Sequence, residues 1–111
     1  MSSTRQNKVS RLLQKELAGI FQYAGKEITA GRMITVTLVR ITADLSIAKA
    51  YISIFPGNGG DEILENIRNH SQKIKHQLAQ QIRHQVKSIP ELHFYLDDSL
   101  DYIENIEKLL K

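Results

Sequence analysis

The residues best suited to chemistry in this chain are cations, and they concentrate in one stretch. Between Asn66 and Pro90 lie Arg68, Lys73, Lys75, Arg83 and Lys87, with His70, His76 and His84 among them and no acidic side chain. Arg and Lys in such a set neutralise phosphates, and His76 and His84 can add hydrogen-bond donors or rings on which a base stacks. A face that is charged only for solubility mixes both signs along a helix. The missing acids therefore favour a polyanionic partner over a merely solvated surface.

Other chemistries find less support. The sequence has no cysteine, which removes disulfides, thiol catalysis and zinc–thiolate sites together. The four histidines include no i,i+4 pair, so neither a metal site nor a cofactor is expected. Asp97, Asp98 and Asp101 could share a divalent ion in a nuclease, but helix capping and dipole complementarity account for all three. Ser53 and Ser99 have no local histidine or glycine elbow to activate them. Gly57-Asn58-Gly59-Gly60 has the Gly-x-x-Gly spacing of a nucleic-acid clamp. It follows a strand, however, and lacks the Lys-Ser/Thr of a phosphate loop, so it reads as a flexible connector. The expectation is a binding protein with no catalytic residues.

The cations need elements to hold them. Ile67, Ile74, Leu78, Ile82, Val86 and Ile89 recur at three-, four- and seven-residue steps, which return to one side of a helix. At ~100° per residue, Lys75, His76, Arg83 and Lys87 fall on the flank beside that stripe. The pattern predicts a helix from Asp61 and Glu62, interrupted at Asn69-His70-Ser71, each a weak helix former. It resumes to about Lys87, before Pro90 ends it. Residues 4–24 predict a first helix with Val9, Leu12, Leu13, Leu17, Ile20 and Phe21 on its core side. Lys8, Arg11 and Lys15 lie nearly opposite, and join the phosphate-binding set if this helix sits on the same side of the molecule.

The β-branched run Met33–Thr42 predicts a strand, and Ile47–Phe55 a second one with Ala48, Ala50, Ile52 and Ile54 on one face. The turn between them, where Asp44 can bond its own backbone, makes an antiparallel hairpin. Leu92–Leu96 predicts a third strand and Leu100–Leu110 a last helix. The predicted class is α+β, in the order α-β-β-α-α-β plus a C-terminal helix, with a three-stranded mixed sheet and its helices on one face.

The 111 residues suit a single domain spanning 1–111, with 41% hydrophobic and 24% charged residues as in globular proteins. No run approaches the ~18 apolar residues of a membrane span and no signal peptide is visible, so a cytoplasmic monomer with no membrane partner is expected. The formal net charge of +3 is unevenly spread. Residues 91–111 carry Glu91, Asp97, Asp98, Asp101, Glu104 and Glu107 against Lys108 and Lys111, an acidic end beside basic segments. A protein–protein adaptor using the acidic last helix or the hairpin's outer strand is the alternative to RNA binding.

Several segments carry a family resemblance. Arg5-Gln6-Asn7-Lys8-Val9 opens a helix continuing Leu12-Leu13-Gln14-Lys15-Glu16-Leu17. Thr35-Val36-Thr37-Leu38-Val39-Arg40 leads to Asp44-Leu45-Ser46-Ile47-Ala48-Lys49-Ala50-Tyr51-Ile52-Ser53. Pro90-Glu91-Leu92-His93-Phe94 precedes Asp97-Asp98-Ser99. In this order they resemble ribosome-binding factor A. The resemblance implies a type II KH-like domain in which an interhelical kink, here Asn69-His70-Ser71 in place of the family's Ala-x-Gly, replaces the Gly-x-x-Gly clamp. It also implies a non-catalytic factor that binds the small ribosomal subunit and its rRNA during late maturation, including processing of the rRNA 5′ end. A link to growth in the cold belongs to the same expectation, and the acidic C-terminal segment is expected to face away from RNA or toward a basic ribosomal protein. On that reading Lys8, Arg11, Lys15, Arg68, Lys73, Lys75, His76, Arg83 and Lys87 form the rRNA-binding set.

Overall fold

A computed structural model of the chain describes residues 4–97. It contains α1 (Thr4–Tyr23), α2 (Lys26–Thr29), β1 (Met33–Ile41), β2 (Ile47–Phe55), α3 (Gly60–Asn69), α4 (Ser71–Ile82) and β3 (Glu91–Leu96). The strands form one mixed sheet in the order β1-β2-β3, with β1 antiparallel and β3 parallel to the central β2. The expected α+β class and sheet are present. The predicted helix Leu100–Leu110, with its Asp98 or Ser99 cap, lies outside the described residues.

Alternation decides which face of the sheet is covered. Ile34, Val36, Val39 and Ile41 of β1, Ala48, Ala50, Ile52 and Ile54 of β2, and Leu92 and Phe94 of β3 are buried. They meet Leu13, Leu17, Ile20 and Phe21 of α1, Ile63, Leu64 and Ile67 of α3, and Ile74, Leu78 and Ile82 of α4 in one cluster. Phe21 packs edge-on against Phe94, with ring centroids 5.9 Å apart. A register shift between Val36 and Leu38 bends β1 where α1 crosses it. There the Gln14 amide donates to the carbonyls of Val36 and Thr37, and the Gln6 amide donates to Ile41. These bonds occupy carbonyls of a strand that is an edge of the sheet.

Three features depart from the sequence expectation. The short helix α2 falls in what reads as loop, because four residues are too few for periodicity to register. The last helix of the pair ends at Ile82 instead of about Lys87, so Arg83, His84 and Lys87 stand on the turns that follow. The cause is topological. The chain must leave the helix layer and run beside β2, where the Glu91 amide bonds the Ser46 carbonyl. Val86 and Ile89 keep partial contact with the core without helical geometry. The glycine-rich connector is also tied down, since the Arg32 guanidinium donates to the carbonyls of Pro56 and Asn58 at 2.5 and 2.6 Å.

Candidate nucleic-acid interface

The break between α3 and α4 falls at His70, whose backbone has φ −101° and ψ 12°. Its amide bonds both Asn66 and Ile67 carbonyls, its ring Nδ1 lies 2.8 Å from the Asn66 carbonyl, and its own carbonyl accepts from Ile74 to start α4. This conformation is open to any L-residue, so the elbow needs no glycine. It accounts for how Asn69-His70-Ser71 can stand where the family pattern has Ala-x-Gly. Asn66 braces the elbow from below, its amide donating to the carbonyls of Glu27 and Ile28 at 2.7 and 3.0 Å.

The cations expected to bind phosphate divide into two groups. Arg68 and Lys73 are engaged within the protein. Arg68 donates from Nε and Nη2 to the Phe94 carbonyl at 3.1 and 2.8 Å, pairs with Glu65 at 3.6 Å and lies over the ring of Tyr95. Lys73 pairs with Glu27 at 3.5 Å. Glu27 is held below the usual carboxylate range, mostly by its own backbone N–H, against partial desolvation, and then by Lys73 and His70. The stretch without acids thus acquires acidic neighbours from the fold, one a turn earlier in α3 and one from α2.

The second group is different. Lys8, Arg11, Lys15, Lys75, Arg83 and Lys87 belong to none of the ion pairs among the described residues. His76 contacts Gln80, and Arg83 contacts His84. Helices α1 and α4 pack against each other. The opening of α1 and the segment after α4 also enclose a groove of about 640 Å³, lined by Arg5, Lys8, Val9, Leu45, Val86 and Lys87 among others and, among the described residues, by no acid. Leu45 reaches this groove from the hairpin turn with φ +62°, which a bulky residue adopts only when its surroundings hold it there. Asp44 supplies that hold by accepting bonds from the Thr42 and Ser46 hydroxyls, both 2.7 Å, and from the Ser46 amide at 3.1 Å. These bonds, Ser46 first, bring the Asp44 carboxyl down to about 2.

Arg5 is the residue that sequence reasoning left out of this groove. It sits at the head of α1 in a polar run, and only the return of residues 85–90 to that end of the helix reveals its neighbours. Arg11 lines a separate cleft between α1 and β1 together with Arg40, another cation not singled out from the sequence. Among the described residues no group of His, Asp or Glu is arranged to hold a metal ion. Asp98 and Asp101 of the weighed acidic cluster lie outside the described residues. No described helix is long and apolar enough to cross a membrane.

The sequence model of the family described as ribosome-binding factor A matches residues 5–110. A ribosome-binding factor A from Christiangramia forsetii is 49% identical over 110 residues, covering 98% of this chain and 84% of that one. The crystal structure of ribosome-binding factor A from Thermus thermophilus superposes with a TM-score of 0.70 at 20% identity, covering 82% of this chain and 94% of that one. A homology model of ribosome-binding factor A from the same organism, fitted into the cryo-EM map of a complex with the 30S subunit, gives 0.65 at 20% identity, covering 88% of this chain and 97% of that one.

Proposed function

The chain belongs to the ribosome-binding factor A family, and from that premise we propose that it is a non-catalytic factor that binds the small ribosomal subunit through rRNA and assists its late maturation, including processing of the rRNA 5′ end. One observation carries the docking mechanism. The cations of α1, α4 and the turns after α4 that stay out of ion pairs among the described residues include Lys8 and Lys87, which with Arg5 rim a groove that no described acid lines. Such a surface suits phosphates held at fixed positions by a folded RNA. Phosphate contacts set position and carry little sequence information, so specificity follows the shape of the ribosomal site. Lys75, His76 and Arg83 extend the surface along α4 and beyond its end. Arg68 and Lys73, held by internal partners, contribute less. We assign the work to a monomer of one KH-like domain in the cytoplasm.

The test is co-sedimentation of purified protein with small subunits, large subunits and assembled ribosomes. Wild type is expected on free small subunits. Lys75→Glu combined with Arg83→Glu is expected to lose that binding at least tenfold while keeping the wild-type unfolding midpoint, because neither side chain is buried. Normal retention of the double variant would remove α4 and its following turn from the docking face.

A further inference from the structure

The outer face of the sheet, which the described helices leave uncovered, carries a second pattern. Strand register sets Arg40 opposite Lys49 and Lys49 opposite His93, so that one transverse row of that face is basic on all three strands. The adjacent row sets Leu38 opposite Tyr51 and Tyr51 opposite Tyr95. The two tyrosine rings stack with centroids 5.6 Å apart at 29°, and the Arg68 guanidinium lies 5.7 Å from the Tyr95 centroid. Farther along, Met33 and Phe55 face each other and are 68% and 69% exposed. Like charges directly opposite on a sheet destabilise it, and a face with nothing to bind alternates signs instead.

Among the described residues, acids reach only part of this surface. Glu91 lies 3.6 Å from His93, Asp97 accepts a bond from Thr37, and Glu65 pairs with Arg68. Arg40 and Lys49 are in no ion pair among the described residues. Arg11, from α1, lines the same cleft as Arg40 and extends the basic row around the edge of β1. The basic and aromatic rows are two residues apart along the strands, roughly 6.7 Å. That separation is comparable to the reach from a nucleotide's phosphate to its base.

We propose that this sheet face binds a single-stranded RNA segment, its phosphates along Arg11, Arg40 and Lys49 and its bases stacked on the row of Tyr51 and Tyr95. An unpaired strand can offer phosphate and a free aromatic face together, whereas a duplex keeps its bases stacked inside. The inference takes its source of RNA from the rRNA-binding reading above, but apart from Arg11 it uses none of the cations on which docking depends. An acidic protein would satisfy the basic row and leave the tyrosines without a role.

The experiment measures binding of the full chain to a labelled 12-nucleotide single-stranded RNA of mixed sequence and to the same RNA in a duplex. Wild type is expected to favour the single strand and to lose tyrosine emission on binding, a clean signal because the chain has no tryptophan. Tyr51→Leu with Tyr95→Leu is expected to weaken single-strand binding about tenfold or more, since base–aromatic stacking is lost while the row stays apolar. Arg40→Gln with Lys49→Gln, both on exposed positions, is expected to flatten the log–log salt slope by about 1.4, or about 0.7 for each phosphate contact. Absence of single-strand binding by wild type, no preference over duplex, or unchanged affinity in the tyrosine variant overturns the proposal. Binding to the oligonucleotide without any to small subunits would instead defeat the docking reading and leave this one standing.

Discussion

Asp44 shows what a single exposed carboxylate does in this fold. Its three short bonds close the β1–β2 turn and hold Leu45 at φ +62° against the groove that Arg5, Lys8 and Lys87 rim. The folded carboxyl, at about 2, lies below the ordinary value near 3.9. Its contribution to stability is therefore present above about pH 4 and is lost as pH falls toward about 2. Asp44→Ala is expected to lower the urea midpoint at pH 7, and the gap to wild type should close between about pH 4 and pH 2. An equal gap across that range would mean that the carboxylate charge is not what the turn uses. The role of Asp44 as a turn former was legible in the sequence because Asx bonding is local. The engagement of Arg68 with Phe94 and Tyr95 was not, because its partners lie 26 and 27 positions away and meet it only through the parallel pairing of β3 with β2.

At the scale of elements, the sequence pattern placed α1 and β2 almost to the residue, since both have an uninterrupted period and clear flanking turns. It extended α4 too far, because the spacing of Val86 and Ile89 continues a helical stripe that the chain abandons at Ile82 to enter β3. It missed α2, a single turn that owes its place to tertiary bonds. Those bonds make a prediction. The Asn66 amide joins α3 to α2 through two carbonyls, and Lys73 adds an exposed pair with Glu27 of little energetic weight. Asn66→Ala is expected to destabilise the protein by about 1 kcal/mol in urea unfolding, mainly the cost of orphaning the partly buried Ile28 carbonyl. Lys73→Ala is expected to change it by less than about 0.5 kcal/mol. Equal effects would show that the charge pair, and not the amide, fixes α2 beneath the elbow.

For the whole molecule the informative quantity is where charge remains uncompensated once the chain has folded. Spacing on one helix could list the cations of 66–90 but could not tell which would find acids, because Glu27 and Glu65 arrive from α2 and from an earlier turn of α3. Among the described residues, most cations outside ion pairs lie on α1, on α4, beyond its end, and across the outer sheet face, with Lys26 and Arg32 apart from them. If docking on the small subunit engages roughly five of them, counterion release gives a log–log salt slope of about −4 to −5. Affinity should then fall about 300- to 1,000-fold between 50 and 200 mM salt. The Lys75→Glu, Arg83→Glu variant should lose slope as well as affinity, because each phosphate contact removed takes about 0.9 from it. The tyrosine variant of the sheet face should lose affinity at unchanged slope. The measurement is a salt titration of small-subunit binding for all three proteins. A flat response in wild type would show that the contacts are not made to phosphate, and would favour the alternative of a protein-binding adaptor.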